Sequence, residues 1–148
     1  MTYCVGMRTN DGLVFMSDTR TNAGVDNIST FKKMFTWSNP GERVITLMTA
    51  GNLASTQSVV SLLDERTKAP EERKPSILEV PTMFQVARLV GNILREVVQS
   101  NATGGQESDS TFAATLILGG QIKGGEQQLF LIYSFSLPSL CIELKHKK

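Results

Sequence analysis

The order in which hydrophobic periods change along the chain constrains its fold most: four strand-like stretches come first, two helical ones follow, and two strand-like ones come after them. Residues 2–8, "TYCVGMR", alternate loosely and are rich in strand formers, and residues 13–17, "LVFMS", are a short apolar run. The "TNDG" between them is a hairpin signal, because Asn and Gly accept positive φ, so the two strands are expected to be antiparallel neighbours. After a loop through "DTRTNAGVDN", residues 31–37, "FKKMFTW", read as a third strand and residues 43–50, "RVITLMTA", as a fourth, joined by the turn residues "SNPGE".

Gly51 and Asn52 then open a helix over 52–67 with Leu53, Val59, Val60, Leu62 and Leu63 as its apolar stripe. The charged "DERTKAPEERKP" reads as a solvated helix end and linker. Pro81 and Thr82 mark the start of a second helix over 83–100, whose buried side is expected to carry Phe84, Val90, Ile93, Leu94, Val97 and Val98. Beyond the loop "NATGGQESDS", the runs "TFAATLILGG" and "QLFLIYS" are strands on either side of the hairpin-like "QIKGGEQ". This order argues an α+β fold with sheet and helices in layers.

With 148 residues the chain has room for one domain around a single core. A hydrophobic share of 41%, a charged share of 20% and a net charge of +1 exclude disorder and a strongly basic nucleic-acid binder. No basic-then-apolar leader and no 18-residue apolar run occurs, so no membrane association is expected and the chain is read as cytoplasmic with reduced thiols. Cys4 and Cys141 lie far apart with a single His to join them, so neither a metal site nor a cofactor is expected. That His, His146 inside "KHKK", reads as a solvated tail residue, which argues against His-dependent hydrolysis. The "GGQIKGGE" stretch lacks the P-loop order and sits between strands.

Thr2 stands directly behind the initiator Met. Excision of Met1 would leave a hydroxyl and a free α-amine on one residue, and an α-amine titrates at about 7.7 to 8.0, so part of it is neutral near pH 7 and able to take the proton from the adjacent hydroxyl. Lys32 and Lys33 read as adjacent strand residues, which point to opposite faces, so one of them faces inward if both faces of the sheet are covered. A buried Lys needs a polar or anionic partner; Asp18 is the candidate, with Arg20 as a further partner for that carboxylate. Gly51, in "GNLAST", stands where a strand meets a helix and backbone N–H groups favour an anion, as an ordinary helix cap or as an oxyanion site.

Thr2, the segment "SDTRTNAG" with Asp18, the pair in "STFKK" and the "MTAG" ahead of the first helix resemble the proteasome β-subunit pattern of the N-terminal nucleophile hydrolases. "TYCVGMR", "SDTRTNAGVDNISTFKKM" and "LGGQIKG" are more similar still to the ancestral bacterial β-subunit branch, Anbu, over residues 1 to about 133. The resemblance implies a four-layer αββα sandwich and a threonine-type peptidase or amidase that hydrolyses peptide or protein substrates inside a homo-oligomeric ring or helix. Nucleic acid, membrane and cofactor have no part in it. It implies Thr2 as nucleophile with its own amine as base, Lys33 lowering the proton affinity of that hydroxyl, Asp18 holding Lys33, and the Gly51 N–H stabilising the oxyanion. Thr21 and Asn22 would pair with an extended peptide, and Thr49 would help to line the pocket for the residue before the scissile bond. The loop before Lys33 is one residue shorter than in typical proteasome subunits, so Lys32 stands as the alternative.

The family pattern stops near Ser134. This divides the chain into residues 1–134, the N-terminal portion of a proteasome-type peptidase domain, and an atypical tail over 135–148, as a shifted frame or a truncated gene would produce. The sandwich is then expected to be incomplete on its C-terminal side, with apolar sheet surface uncovered. Two rival readings stay open: a non-catalytic or inactive truncated subunit, and an N-terminal nucleophile amidohydrolase for a small amide.

Overall fold

The computed structural model describes residues 2–22, 28–68, 75–102, 112–134 and 141–143. Strands β1 (Cys4–Arg8) and β2 (Leu13–Ser17) form an antiparallel hairpin in which Arg8 faces Leu13 and Cys4 faces Ser17. Its turn is held by Thr9, whose N–H donates to the Gly12 carbonyl at 2.8 Å and whose hydroxyl accepts from the Gly12 N–H at 3.1 Å. Positive φ is not used at Gly12. The Thr9 side chain does the work that a left-handed glycine was expected to do.

Strands β3 (Arg20–Asn22) and β4 (Ile28–Thr30) form a second antiparallel pair inside a stretch that reads as loop. The expected third strand over 31–37 begins only at Met34, as β5 (Met34–Asn39). Three-residue strands carry too little alternation to be seen, and "IST" runs without a break into "FKKMF". Phe31, Lys32 and Lys33 are therefore the connection between two sheets, not the middle of a strand.

The main sheet has five strands in the order β5, β6 (Arg43–Gly51), β7 (Ala114–Ile122), β8 (Gln128–Tyr133) and β9 (Cys141–Glu143), all antiparallel. The turn into β6 closes with the Glu42 N–H donating to the Asn39 carbonyl at 3.0 Å, and Gly41 supplies the left-handed residue at φ 77°. Strand β9 falls within the tail for which no strand was foreseen; the rest of 135–148 lies outside the described residues.

Helices α1 (Leu53–Lys68) and α2 (Met83–Ala102) pack on each other and on one face of this sheet. Each starts on a side-chain cap: Asn52 Oδ1 accepts from the Ser55 N–H at 3.0 Å, and Thr82 Oγ1 accepts from the Gln85 N–H at 3.2 Å. The buried stripe of α2 is Met83, Val86, Ala87, Val90, Ile93, Leu94, Val97 and Val98, and it meets Ile45, Leu47, Leu116, Leu118, Phe130 and Ile132 of the sheet. Burying one such aliphatic side chain contributes about 1.5 to 3 kcal/mol. Phe84, expected inside, is 53% exposed, because Met83 and Val86 occupy the inward positions of that turn. In α1 the first turn buries Ser55 and Thr56, whose hydroxyls donate to the Phe112 and Leu53 carbonyls at 3.0 Å each. Leu53 and Leu62, placed in the stripe by sequence, are only partly buried.

The β1–β2 hairpin lies across the other face of the main sheet, with Gly6 against Ile117 and Leu129 and Gly119 against Phe15. A Cβ on Gly119 would stand 2.5 Å from the Phe15 ring, so the glycine sets the distance between the layers. Among the described residues the layers are thus helices, sheet and hairpin. The outward side of the hairpin carries Met7, Val14 and Met16, each about half exposed. No helix among the described residues is long and apolar enough to cross a membrane.

Candidate active site

The open ends of β1 and β2 come together at the edge of the hairpin, which sets Thr2 beside Asp18. Asp18 and Tyr3 exchange hydrogen bonds: the Tyr3 N–H donates to Asp18 Oδ1 at 2.9 Å and the Asp18 N–H donates to the Tyr3 carbonyl at 3.0 Å. The chain bearing Thr2 is in this way fastened to the carboxylate.

Lys33 arrives from the connection ahead of β5. Its Nζ lies 3.0 Å from both Asp18 carboxylate oxygens and donates to the Thr2 hydroxyl at 3.2 Å and to the Arg20 carbonyl at 2.5 Å. The side chain is almost wholly buried while the Asp18 carboxylate is 30% exposed. Lys32, its neighbour, is exposed and lays its ammonium 5.3 Å from the centre of the Phe35 ring. Arg20 contributes its carbonyl here, and its guanidinium, offered by sequence as a partner for Asp18, forms no ion pair with it.

The Tyr3 N–H bond, then the Lys33 ammonium, hold the Asp18 carboxyl below its ordinary range. Cys4, two residues from Thr2, behaves in the opposite way. Burial pushes its thiol up, the Asp18 charge adds to this, and Lys33 opposes it. A thiol held protonated is a poor nucleophile.

Thr49 is buried on β6 behind Lys33. Its N–H donates to the Lys33 carbonyl at 2.9 Å, its hydroxyl reaches the same oxygen at 3.4 Å, and its own carbonyl accepts from Cys4 Sγ at 3.9 Å. Gly51 ends β6 at φ 109° immediately ahead of α1. Thr2, Lys33, Thr49 and Gly51 all line one small cavity of about 40 Å³. Thr21 and Asn22 lie in β3, opposite Ser29 and Ile28, one and two residues beyond Arg20. Sequence reasoning missed the Tyr3 main chain and the Arg20 carbonyl as parts of the site; backbone groups leave no residue-type signal. Among the described residues no group of three or more His, Cys, Asp and Glu side chains is arranged to hold a metal ion.

No family model matches the chain, and no curated protein matches it significantly. Solved structures do. Anbu (ancestral beta-subunit) from Yersinia bercovieri is similar at 44% identity and a TM-score of 0.85, covering 98% of this chain and 56% of its own. Anbu from Hyphomicrobium sp. strain MC1 is similar at 41% identity and a TM-score of 0.80 over the same shares.

The chain belongs to the Anbu family.

A helical assembly of the Anbu complex from Pseudomonas aeruginosa is similar at 38% identity and a TM-score of 0.78, covering 100% of this chain and 62% of that one. The chain spans 56 to 62% of the length of these Anbu structures.

Proposed function

We propose that this chain carries the nucleophile of a threonine-type peptidase or amidase of the proteasome β-subunit class, acting on peptide bonds within a homo-oligomer. The observation that supports it is the Lys33 ammonium, which bonds the Thr2 hydroxyl at 3.2 Å while both Asp18 oxygens hold it at 3.0 Å.

Met1 is removed first, which frees the Thr2 amine. That amine takes the hydroxyl proton as Oγ1 attacks the substrate carbonyl, and the nearby Lys33 charge lowers the proton affinity of the hydroxyl. The carbonyl oxygen gains the negative charge and takes a hydrogen bond from the Gly51 N–H. Such a donor contributes about 3 to 4 kcal/mol in comparable sites. Collapse of the tetrahedral intermediate breaks the C–N bond, and the ammonium of Thr2 gives its proton to the leaving amine. Water, deprotonated by the same amine, then hydrolyses the Thr2 ester and restores the hydroxyl. Thr21 and Asn22 pair along the extended substrate through their main chain, and Thr49 helps to line the pocket next to the bond that breaks.

The helical assembly of the Pseudomonas aeruginosa Anbu complex supports a homo-oligomeric working state. Intact-mass measurement of the purified protein tests the first step, and cleavage of fluorogenic peptides by the wild type, Thr2→Ala and Thr2→Ser tests the second. Loss of Met1, activity in the wild type and Thr2→Ser, and none in Thr2→Ala are expected. Full retention of Met1, or an active Thr2→Ala variant, overturns the reading.

A further inference from the structure

The small cavity beside Thr2 has a charge character that the proposed chemistry does not use. Lys33 is neutralised by Asp18, but Lys32, which lines the same cavity, has no carboxylate partner among the described residues. Its ammonium lies 5.3 Å from the centre of the Phe35 ring, and Phe35 lines the cavity as well. The cavity is also lined by the first turn and a half of α1, through Leu53, Thr56 and Gln57. A helix start carries partial positive charge, and no acidic residue in the first turn of α1 offsets it. The Gln57 side chain is exposed and makes no hydrogen bond among the described residues, so its amide N–H groups are available. The Thr49 and Thr56 hydroxyls donate elsewhere, to the Lys33 and Leu53 carbonyls.

Size narrows the choice. The cavity is small, about 40 Å³, and suits a short side chain better than the ring of Phe, while charge decides between short side chains of similar shape. Thr2 and Gly51 both line the cavity, so on the peptidase reading the side chain that enters it is the one attached next to the reacting carbonyl.

The geometry points to a short carboxylate side chain, that of Asp, as the group this pocket accepts on the acyl side of the scissile bond, with Lys32 as the residue that sets the preference. The inference rests on the peptidase reading for its cleavage step and on the pocket alone for its binding step. A carboxylate here meets an ammonium, an amide N–H and a helix start in a half-enclosed space, and a charge-assisted contact of that kind gives roughly a tenfold preference over an uncharged side chain.

The experiment has two arms on the full chain. In the first, acetylated tripeptide aminocoumarin amides differing only in the last residue, Asp, Glu, Leu or Arg, are cleaved by the wild type, Lys32→Gln and Lys32→Glu. Asp is expected to be fastest in the wild type, by roughly tenfold over Leu, with the advantage lost in Lys32→Gln and moved toward Arg in Lys32→Glu. In the second, the Thr2→Ala variant is titrated with the corresponding peptide amides and followed by NMR at Lys32, Phe35 and Gln57, where the Asp peptide is expected to shift these signals and the Leu peptide to leave them in place. Cleavage or binding that ignores the charge of the last residue, or an Asp preference that survives Lys32→Glu, overturns the pocket assignment and leaves the peptidase reading standing. Charge-selective binding without any cleavage by the wild type overturns the peptidase reading and keeps the pocket.

Discussion

Asp18 grips the main chain of Tyr3 with two hydrogen bonds, 2.9 Å from the Tyr3 N–H to its carboxylate and 3.0 Å from its own N–H to the Tyr3 carbonyl. One residue thereby does two things. It fixes where the neighbouring Thr2 stands, and it supplies the negative charge that keeps Lys33 in contact with the Thr2 hydroxyl.

The two roles separate under titration. Because the Tyr3 bond and Lys33 lower the Asp18 pKa in the folded protein, its ionised form contributes stability at every pH above the unfolded carboxylate value. That contribution falls away only as the pH drops through the lowered folded value. The site is therefore expected to keep its geometry from neutrality down to about pH 4 and to loosen below it. A carboxyl-carbon NMR titration of Asp18 checks this. A midpoint at or above the ordinary value of 3.8 would contradict the arrangement.

Replacing Asp18 by Asn tests the charge and spares the grip, because an amide oxygen still accepts from the Tyr3 N–H. The variant is expected to fold and melt much like the wild type while peptide cleavage falls on the order of 100-fold, as Lys33 loses its anchor. Comparing melting temperature with turnover reads the two effects apart.

Lys33→Arg is expected to fail as well, despite keeping the charge. The Lys33 ammonium is a point donor shared among the Thr2 hydroxyl, the Arg20 carbonyl and two carboxylate oxygens, and a planar guanidinium does not fit that set. A loss of roughly 100-fold or more in turnover is expected, with Lys33→Met no worse than about the same. A Lys33→Arg variant within threefold of wild type would show that charge alone suffices.

The sequence made the order of elements legible, together with both helices and six of the strands, because each repeats its period over enough residues. It could not reveal β3 and β4, which are three residues each, or β9 behind a proline-containing stretch. Strand alternation says only that one of Lys32 and Lys33 faces inward, and the family resemblance points to Lys33; the structure buries Lys33 and exposes Lys32, but both residues lie outside any strand. What turns Lys33 inward is the pair of bonds from Thr49 to its carbonyl and the waiting carboxylate of Asp18. Such contacts join residues far apart in the chain, and no local pattern encodes them.

Trp37 and Asp64 tie the outer strand of the main sheet to α1, through a bond of 2.7 Å from the indole N–H to the carboxylate. Asp64→Ala is expected to cost about 1 to 2 kcal/mol, and Asp64→Asn, which keeps an acceptor, much less. Trp37 is the single tryptophan of the chain, so its fluorescence follows urea unfolding directly. Equal midpoints for the Ala variant and the wild type would show that the bond contributes nothing in solution.

Gly51 is the position where sequence, backbone and chemistry meet most tightly. Its φ of 109° is a conformation that side chains rarely adopt, and a Cβ there would stand 2.5 Å from the Ala113 carbonyl and 2.9 Å from Ala114 Cα. Both neighbours are backbone of the adjoining strand, so neither yields cheaply. Gly51→Ala is expected to lose about 2 kcal/mol or more of stability. It should also abolish cleavage, since relief of the clash turns the N–H that would face the oxyanion. Gly12→Ala is the matched control: φ there is not in the left-handed region and nothing lies within 4 Å of the added carbon. That variant should stay within about 0.5 kcal/mol of wild type and remain active. If urea unfolding finds the two substitutions equally mild, the strand end is more pliable than its geometry implies, and the case for Gly51 as a fixed oxyanion donor falls with it.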